Sequence, residues 1–333
     1  MTANRVRTSI RRAFGNDSFS HVSIQDSAIE DFADDLSEMD LPVPEWTGSP
    51  FPHADIPDET VFDLYILIAA HQFQFLIHDE LYRATYEGET WTGALALWRS
   101  FADAIDRGVP ITDGEHLRDL SLAETRALFT GEERNETSIP MVEERHQLCN
   151  DIGELLCTDH DRFFHQSFDA SQEVQLFGNG GFVEFLTEDF AVAFGDTRTA
   201  DGQTLYFDKK AQLAASTLYG RFQQNSFFTP SQEDIAALTI FADYVVPANL
   251  RAHGVLSYDS HLTQLVDGLS ILPEGSREEI EIRAAAILAA DRLLDAVNDR
   301  HSDHVTMPQL DYALWRWGRE VDTIYHHVRT TDY

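Results

Sequence analysis

Apolar residues along this chain recur mostly three and four positions apart, the spacing that lines one face of a helix. The longest run, from Thr60 through VFDLYILIAAHQFQFLIHDELY, is apolar on all sides and predicts a buried central helix capped by Asp58 or Thr60. Ser121 and Glu124 have the form of a capping box ahead of LAETRALF, and Pro140 is expected to open MVEERHQLCNDIGELL. The pattern returns from Lys209 to Gln224. Asp243 reads as the N-cap of YVVPANLRAHGVL, with Pro247 tolerated in the first turn. Ser276 caps REEIEIRAAAILAADRLLDAV, and Pro308 precedes LDYALWRWGREVDTIY. Strand alternation is scarce, and QTLYF before Lys209 is the best candidate, as an edge or hairpin piece.

The segment LPVPEWTGSPFPHADIPD, from Leu41 to Asp58, predicts an ordered loop, because Trp46 and Phe51 give it something to bury. No polar linker divides the chain, and 333 residues suffice for a full core. The expectation is an all-α fold in a single compact domain over 1–333, with at most a short β-hairpin. Residues 1–58, an N-terminal helix and the proline-rich loop, are expected to pack on that domain.

Charge narrows the function. With 24 Lys and Arg against 57 Asp and Glu, the formal charge of −33 would repel a phosphate backbone, so nucleic acid is not an expected partner. Lysine occurs only at Lys209 and Lys210, every other basic side chain being arginine. Abundant carboxylate with almost no lysine points to a halophilic source, where salt screens the self-repulsion. The two cysteines, Cys149 and Cys157, lack disulfide or zinc-ribbon spacing and fit a reducing, cytoplasmic setting. The arginine-rich start leads into no signal-type apolar run, and no window would span a bilayer, so a soluble chain without a membrane partner is expected. The acidic stretch Glu30–Asp40 reads as a solvated face.

Several chemistries fall away on motif grounds. Gly178-Asn-Gly180-Gly181 has neither the spacing nor the following Lys-Ser of a phosphate loop. His71 with His78, and His301 with His304, could ligate a metal, but no Glu-x-x-His pattern accompanies them, and neither metal nor cofactor is expected. The informative segments lie in the C-terminal half. Phe241 and Asp243 stand at a helix entry, and in LDYALWRW Asp311 and Tyr312 are each followed one turn later by Trp315 and Arg316. Each aspartate could be only a cap. Two carboxylates beside aromatic rings also suit a flat heterocycle and a cationic sugar transition state.

LTIFADYVVPANLRAHGVLSY, REEIEIRAAAILAADRL, LYFDKKAQLAA, VEERHQLCNDIGELL and LDYALW resemble blocks of the queuosine salvage family, the queuosine 5′-phosphate N-glycosylase/hydrolases, and occur in family order. The resemblance implies an all-helical fold related to helical DNA glycosylases. It also implies hydrolysis of queuosine 5′-monophosphate to queuine and ribose 5-phosphate, a salvage step tied to tRNA modification. It points to Phe241 and Asp243 as deazapurine contacts, Asp311 as the catalytic carboxylate, Tyr312 as a neighbouring base contact and His53 as a ligand contact. Arg316 departs from the acidic residue of the family pattern, which bears on the substituent of the deazapurine.

A 7-deazaguanine lacks the N7 that is usually protonated, so the site must stabilise positive charge on ribose and negative charge on the base. Asp311 is expected beneath the ribose, Asp243 on the guanine-like edge, Phe241 and Tyr312 against the ring, and Lys209 on the 5′-phosphate. Lys210, one helical step away, points elsewhere; the alternative for both lysines is a surface pair at a helix start. Glu279, Glu281 and Arg283 read as a structural ion network. The rivals are a non-catalytic nucleobase binder, a DNA-base glycosidase, which the charge disfavours, and a helical metal enzyme.

Overall fold

The computed structural model describes residues 4–77, 80–131, 139–168, 170 and 173–333. Helices dominate, as the apolar spacing predicts, and gather around two apolar cores. The first core takes the helices Asp58–Ala70, Ala94–Asp106, Val142–Asp159 and Lys209–Arg221. The second takes Arg5–Ala13, Asp26–Ser37, Val245–Ala252, Arg277–Asn298 and Met307–Gly318. Leu81 packs against both.

The central helix is buried on every side from Val61 to Ala70, yet it is shorter than its sequence suggests. Pro57, not Asp58 or Thr60, is its N-cap, and it ends at Ala70 with His71 as C-cap. The cause lies across the core. Buried Arg145 donates to the carbonyls of His71, Phe73 and Gln74, supplying the partners a continued helix would have supplied. Gln74 adopts φ 40°, and the chain runs on into Leu76–Ile77 paired with Glu80–Leu81. His78 lies outside the described residues.

Other elements follow their signals. The Ser121–Glu124 capping box is formed, and Ser276 Oγ accepts from Glu279 N at 3.3 Å. Pro308 falls inside the first turn of Met307–Gly318, behind a second capping box of Thr306 and Gln309. Helix Asp26–Ser37 buries Ile29, Phe32, Ala33 and Leu36 and turns its carboxylates to solvent. Gln203–Tyr206 pairs with Thr197–Ala200 as the expected hairpin. The expectation of at most one hairpin is corrected: six two-stranded pairs occur among the described residues, two of them parallel. None exceeds four residues per strand, so they tie loops together without building a sheet layer, and the fold remains predominantly helical.

The anticipated ion network is structural. Arg283 meets Asp196 through two bonds of 3.0 and 2.6 Å, and Glu281 accepts from the backbone N–H groups of Ser20 and His21. Among the described residues no helix is long and apolar enough to cross a membrane.

The proline-rich loop is ordered by aromatic contacts and one close approach. Trp46 holds a left-handed backbone, φ 52°, and its carbonyl accepts the Tyr65 hydroxyl proton. Its ring stacks on Trp98 at 6.0 Å and meets Phe51 edge-on at 5.2 Å. The loop reaches this position because Gly220, in Lys209–Arg221, has no side chain. A Cβ there would stand 2.3 Å from Pro44 O and 2.8 Å from Trp46 Cδ1. Gly220→Ala is therefore expected to lower stability by about 1–3 kcal/mol and to move Trp46 away from Trp98. Denaturant unfolding and tryptophan fluorescence check this; unchanged stability and emission would mean the loop is not seated there.

Candidate active site

The two cores meet at a cleft whose inner part is narrow, with a cavity volume of about 60 Å³. Helix Met307–Gly318 presents Asp311, Tyr312 and Trp315 to it; Phe241 and Asp243 enter from the loop before Val245–Ala252. Lys209 comes from the first turn of its helix, and Trp46 and Trp98 complete the aromatic wall.

Asp311 is 8% exposed and stands in the second turn of its helix, so it caps nothing there. Its Oδ1 accepts instead from Phe241 N at 2.9 Å, across the cleft. Burial lifts its carboxyl well above the usual carboxylate range, and Asp243 pushes the same way. The Phe241 N–H and the Lys209 ammonium pull it back. The N-cap of Val245–Ala252 is Tyr244 and not Asp243 as expected, yet Asp243, one position earlier, satisfies the first turn: its Oδ1 accepts from Val245 N at 2.7 Å and Val246 N at 3.0 Å. It also lines the cavity, and burial raises its carboxyl against the opposing pull of Lys209.

The lysines are not a surface pair; both are buried. Lys209 Nζ donates to Gln72 O at 2.8 Å and lies in the field of Asp243 and Asp311, which offset the depression that burial imposes. Lys210 points elsewhere, donating to Ala70 O at 3.2 Å and Thr331 O at 2.7 Å, and burial pushes it down to about 7. Tyr312 meets Trp46 edge-on at 5.4 Å and stacks on Trp315 at 6.1 Å.

The structure thus brings together Phe241, Asp243, Asp311, Tyr312 and Lys209. Arg316 lies one step out, on an adjoining outer cleft. His53 is not brought in: its side chain is exposed, and its charged neighbour is Asp106 at 4.0 Å. Sequence reasoning missed Gln72, Trp98, Ser216 and Thr217 as cavity-lining groups. Gln72 carried a signal, an amide within an otherwise apolar run, whereas Trp98 looks like any core aromatic.

As for metals, buried His71 contacts Leu67 O through Nδ1 and Cys149 Sγ through Nε2, while His301 contacts the backbone oxygens of Asp303 and Met39. Among the described residues no three His, Cys, Asp or Glu side chains gather as a metal site.

An aromatic slot with two carboxylates and one ammonium at its base defines a receptor for a flat, hydrogen-bonding heterocycle attached to something that acquires positive charge. Residues 53–333 match the family model described as queuosine salvage protein, and the chain belongs to that family. A relative from Sphaerobacter thermophilus is 29% identical over 317 residues, covering 94% of this chain and 93% of its own. One from Mus musculus is 30% identical over 276 residues, with 79% and 78% covered, and one from Bos taurus is 26% identical, with 83% and 82% covered. All three are named queuosine 5′-phosphate N-glycosylase/hydrolase.

The strained carboxyl has a measurable consequence. Because the folded-state pKa of Asp311 is raised, its favourable contribution is complete below the unfolded value near 4 and is lost as pH rises through the folded value. Asp311→Asn keeps an acceptor for Phe241 N without the charge. The variant is expected to melt roughly 1–3 °C above the parent at neutral pH, with the gap closing toward pH 4. A gap that is absent, or that widens in acid, would show that Asp311 is not held as an unfavourable buried anion.

Proposed function

We propose that this chain hydrolyses the N-glycosidic bond of queuosine 5′-monophosphate, or a closely related 7-deazaguanine ribonucleotide, releasing the base and ribose 5-phosphate. The observation that carries the reading is Asp311: a buried carboxylate, raised by its surroundings, in an aromatic slot shared with Asp243 and Lys209. The relatives' shared name agrees with it.

In this reading the deazaguanine ring enters between Phe241, Tyr312 and the tryptophans. Asp243 keeps one oxygen on its capping bonds and offers the other to the donor edge of the base, which gives base identity. Asp311 sits under the ribose. As the C1′–N bond lengthens, positive charge grows on the sugar, and a carboxylate that was costly in the empty site finds its counter-charge in the transition state. Water then supplies hydroxyl to C1′ and a proton to the departing ring nitrogen. Lys209, beside both carboxylates, limits the charge the cavity must hold.

Both cores contribute walls to this cavity, which supports reading the chain as one functional unit that includes the N-terminal loop. The relation to helical DNA glycosylases and a cytoplasmic setting for a small nucleotide substrate belong to the same reading.

The test is incubation with queuosine 5′-monophosphate and mass identification of products. Free base and ribose 5-phosphate are expected; binding without release would make the protein a nucleotide binder. Asp311→Asn should cut turnover by roughly a hundredfold or more while leaving ligand binding largely intact, because the interaction lost is one made in the transition state. Asp243→Ala should weaken the free base and the nucleotide alike, as titration calorimetry would register. A loss confined to the nucleotide would take Asp243 off the base.

A further inference from the structure

Beyond Gln72 and Lys209 the cavity opens into a larger outer cleft of about 620 Å³. Arg316 and Arg319, from the end of helix Met307–Gly318 and its C-cap, both line it. Among the described residues neither meets a carboxylate at ion-pair distance. This is unusual in so acidic a chain, where Arg198 meets Asp196, Glu274, Glu279 and Asp332, and exposed Arg300 meets Glu30 and Asp34. Arg319 is oriented without being neutralised: it lies 4.9 Å from the Trp315 ring centroid and donates to Thr92 Oγ1 at 3.0 Å. Arg316 is exposed and keeps its donors free. Cations near a helix C-terminus also offset the helix dipole, but that requires no opening onto a ligand cavity.

The axial spacing suits a sugar phosphate. Asp311 belongs to the inner cavity, Tyr312 and Trp315 to both, and Arg316 and Arg319 to the outer cleft alone. Five residues at helical rise carry the chain about 7.5 Å along the axis from Asp311 to Arg316. That is comparable to the reach of a ribose from its anomeric carbon to its 5′-phosphate. Lys209, the phosphate partner expected from sequence, lines both parts of the cleft with Asp243 and lies in the field of Asp243 and Asp311, where a dianion would meet two carboxylates.

We infer that Arg316 and Arg319 form the receptor for the 5′-phosphate of the substrate, with Arg316 as the principal contact and Lys209 left to balance the inner carboxylates. This rests on the nucleotide reading above. The fork of donors on arginine suits a phosphate monoester, and two arginines outside any ion pair outnumber the neighbouring Glu320 in this cleft lining, which gives an anion a local point of attraction on a repelling surface.

The experiment compares Arg316→Ala, Arg316→Lys and Lys209→Ala with the parent on matched 5′-nucleotide and nucleoside at one fixed salt concentration, since exposed contacts are screened. Arg316→Ala is expected to lose roughly 10- to 100-fold in kcat/KM for the nucleotide and under about twofold for the nucleoside, with Arg316→Lys in between. Lys209→Ala should harm both substrates. Calorimetric binding of ribose 5-phosphate is the second readout and requires no turnover: Arg316→Ala should weaken it by a similar factor. If the parent releases no base, the hydrolase reading fails, while ribose 5-phosphate binding still decides the phosphate site. Equal losses on nucleotide and nucleoside in Arg316→Ala, no loss on either, or a nucleotide-only loss in Lys209→Ala would overturn the assignment.

Discussion

Two buried carboxylates lie in the field of one buried ammonium, and much of the surrounding architecture serves to hold that arrangement. Asp311 and Asp243 are both raised by burial, and Lys209 is lowered by it; the lysine and each carboxylate favour one another's charged form, while Asp243 opposes the ionisation of Asp311, whose foremost support is the Phe241 N–H. With both carboxylates ionised and the lysine protonated, the trio carries one net negative charge. A neutral aromatic base that arrives with N–H donors relieves part of this cost, and a sugar that becomes cationic relieves more. The cavity is therefore matched to a change in charge along a reaction, and less well to the empty state.

Such an arrangement needs backbone that cannot relax, and two buried guanidiniums supply it. Arg145 gathers carbonyls from His71 to Gln74, which fixes the segment whose Gln72 carbonyl receives Lys209. Burial pushes Arg145 down to about 9, still above neutral pH, and the Phe73 ring lies 4.0 Å from its guanidinium carbon. Arg283 acts on the opposite wall. It donates to Ala242 O at 3.0 Å, between Phe241 and Asp243, while Asp196 holds its other two nitrogens. Removing either arginine would free a wall of the cavity as well as leaving buried acceptors without partners.

What the sequence disclosed and what it hid divide along physical lines. Capping and periodicity depend on neighbours within a turn or two, so the Ser121 box, the Ser276 cap and the long helix behind it are readable locally. The end of the central helix is not, because it is set by Arg145, which lies 74 positions beyond His71 in the chain. The gathering of Phe241, Asp243, Asp311, Tyr312 and Lys209 into one cavity became legible only through whole blocks resembling a family; each aspartate alone reads equally well as a cap. Asp243 is a cavity group whose side chain also satisfies first-turn N–H groups from the position before the N-cap, Tyr244. His53 shows the reverse, a residue suggested by position in a matching region whose side chain stands in solvent. Three of the loop pairings escaped notice because two-residue strands leave no alternation to detect, and the hairpin of Arg83–Tyr86 with Glu89–Thr92 because it follows directly on the apolar run read as one helix.

The surface and the site pose opposite electrostatic problems. A formal charge of −33 repels any nucleotide at long range, and salt shortens that repulsion to about 8 Å at physiological ionic strength and to less in brine. Inside that distance the local arrangement decides. Most surface arginines are already committed to carboxylates, as Arg292 is to Asp17 and Asp26, and present little net field. Arginines outside any ion pair along the cleft therefore count for more than their number suggests, whereas Arg7 and Arg11 of the first helix are already tied to Asp291. Acidity elsewhere on the chain thus sharpens selectivity at a cleft where two arginines outside any ion pair stand near Glu320 and an aromatic cavity lies behind them.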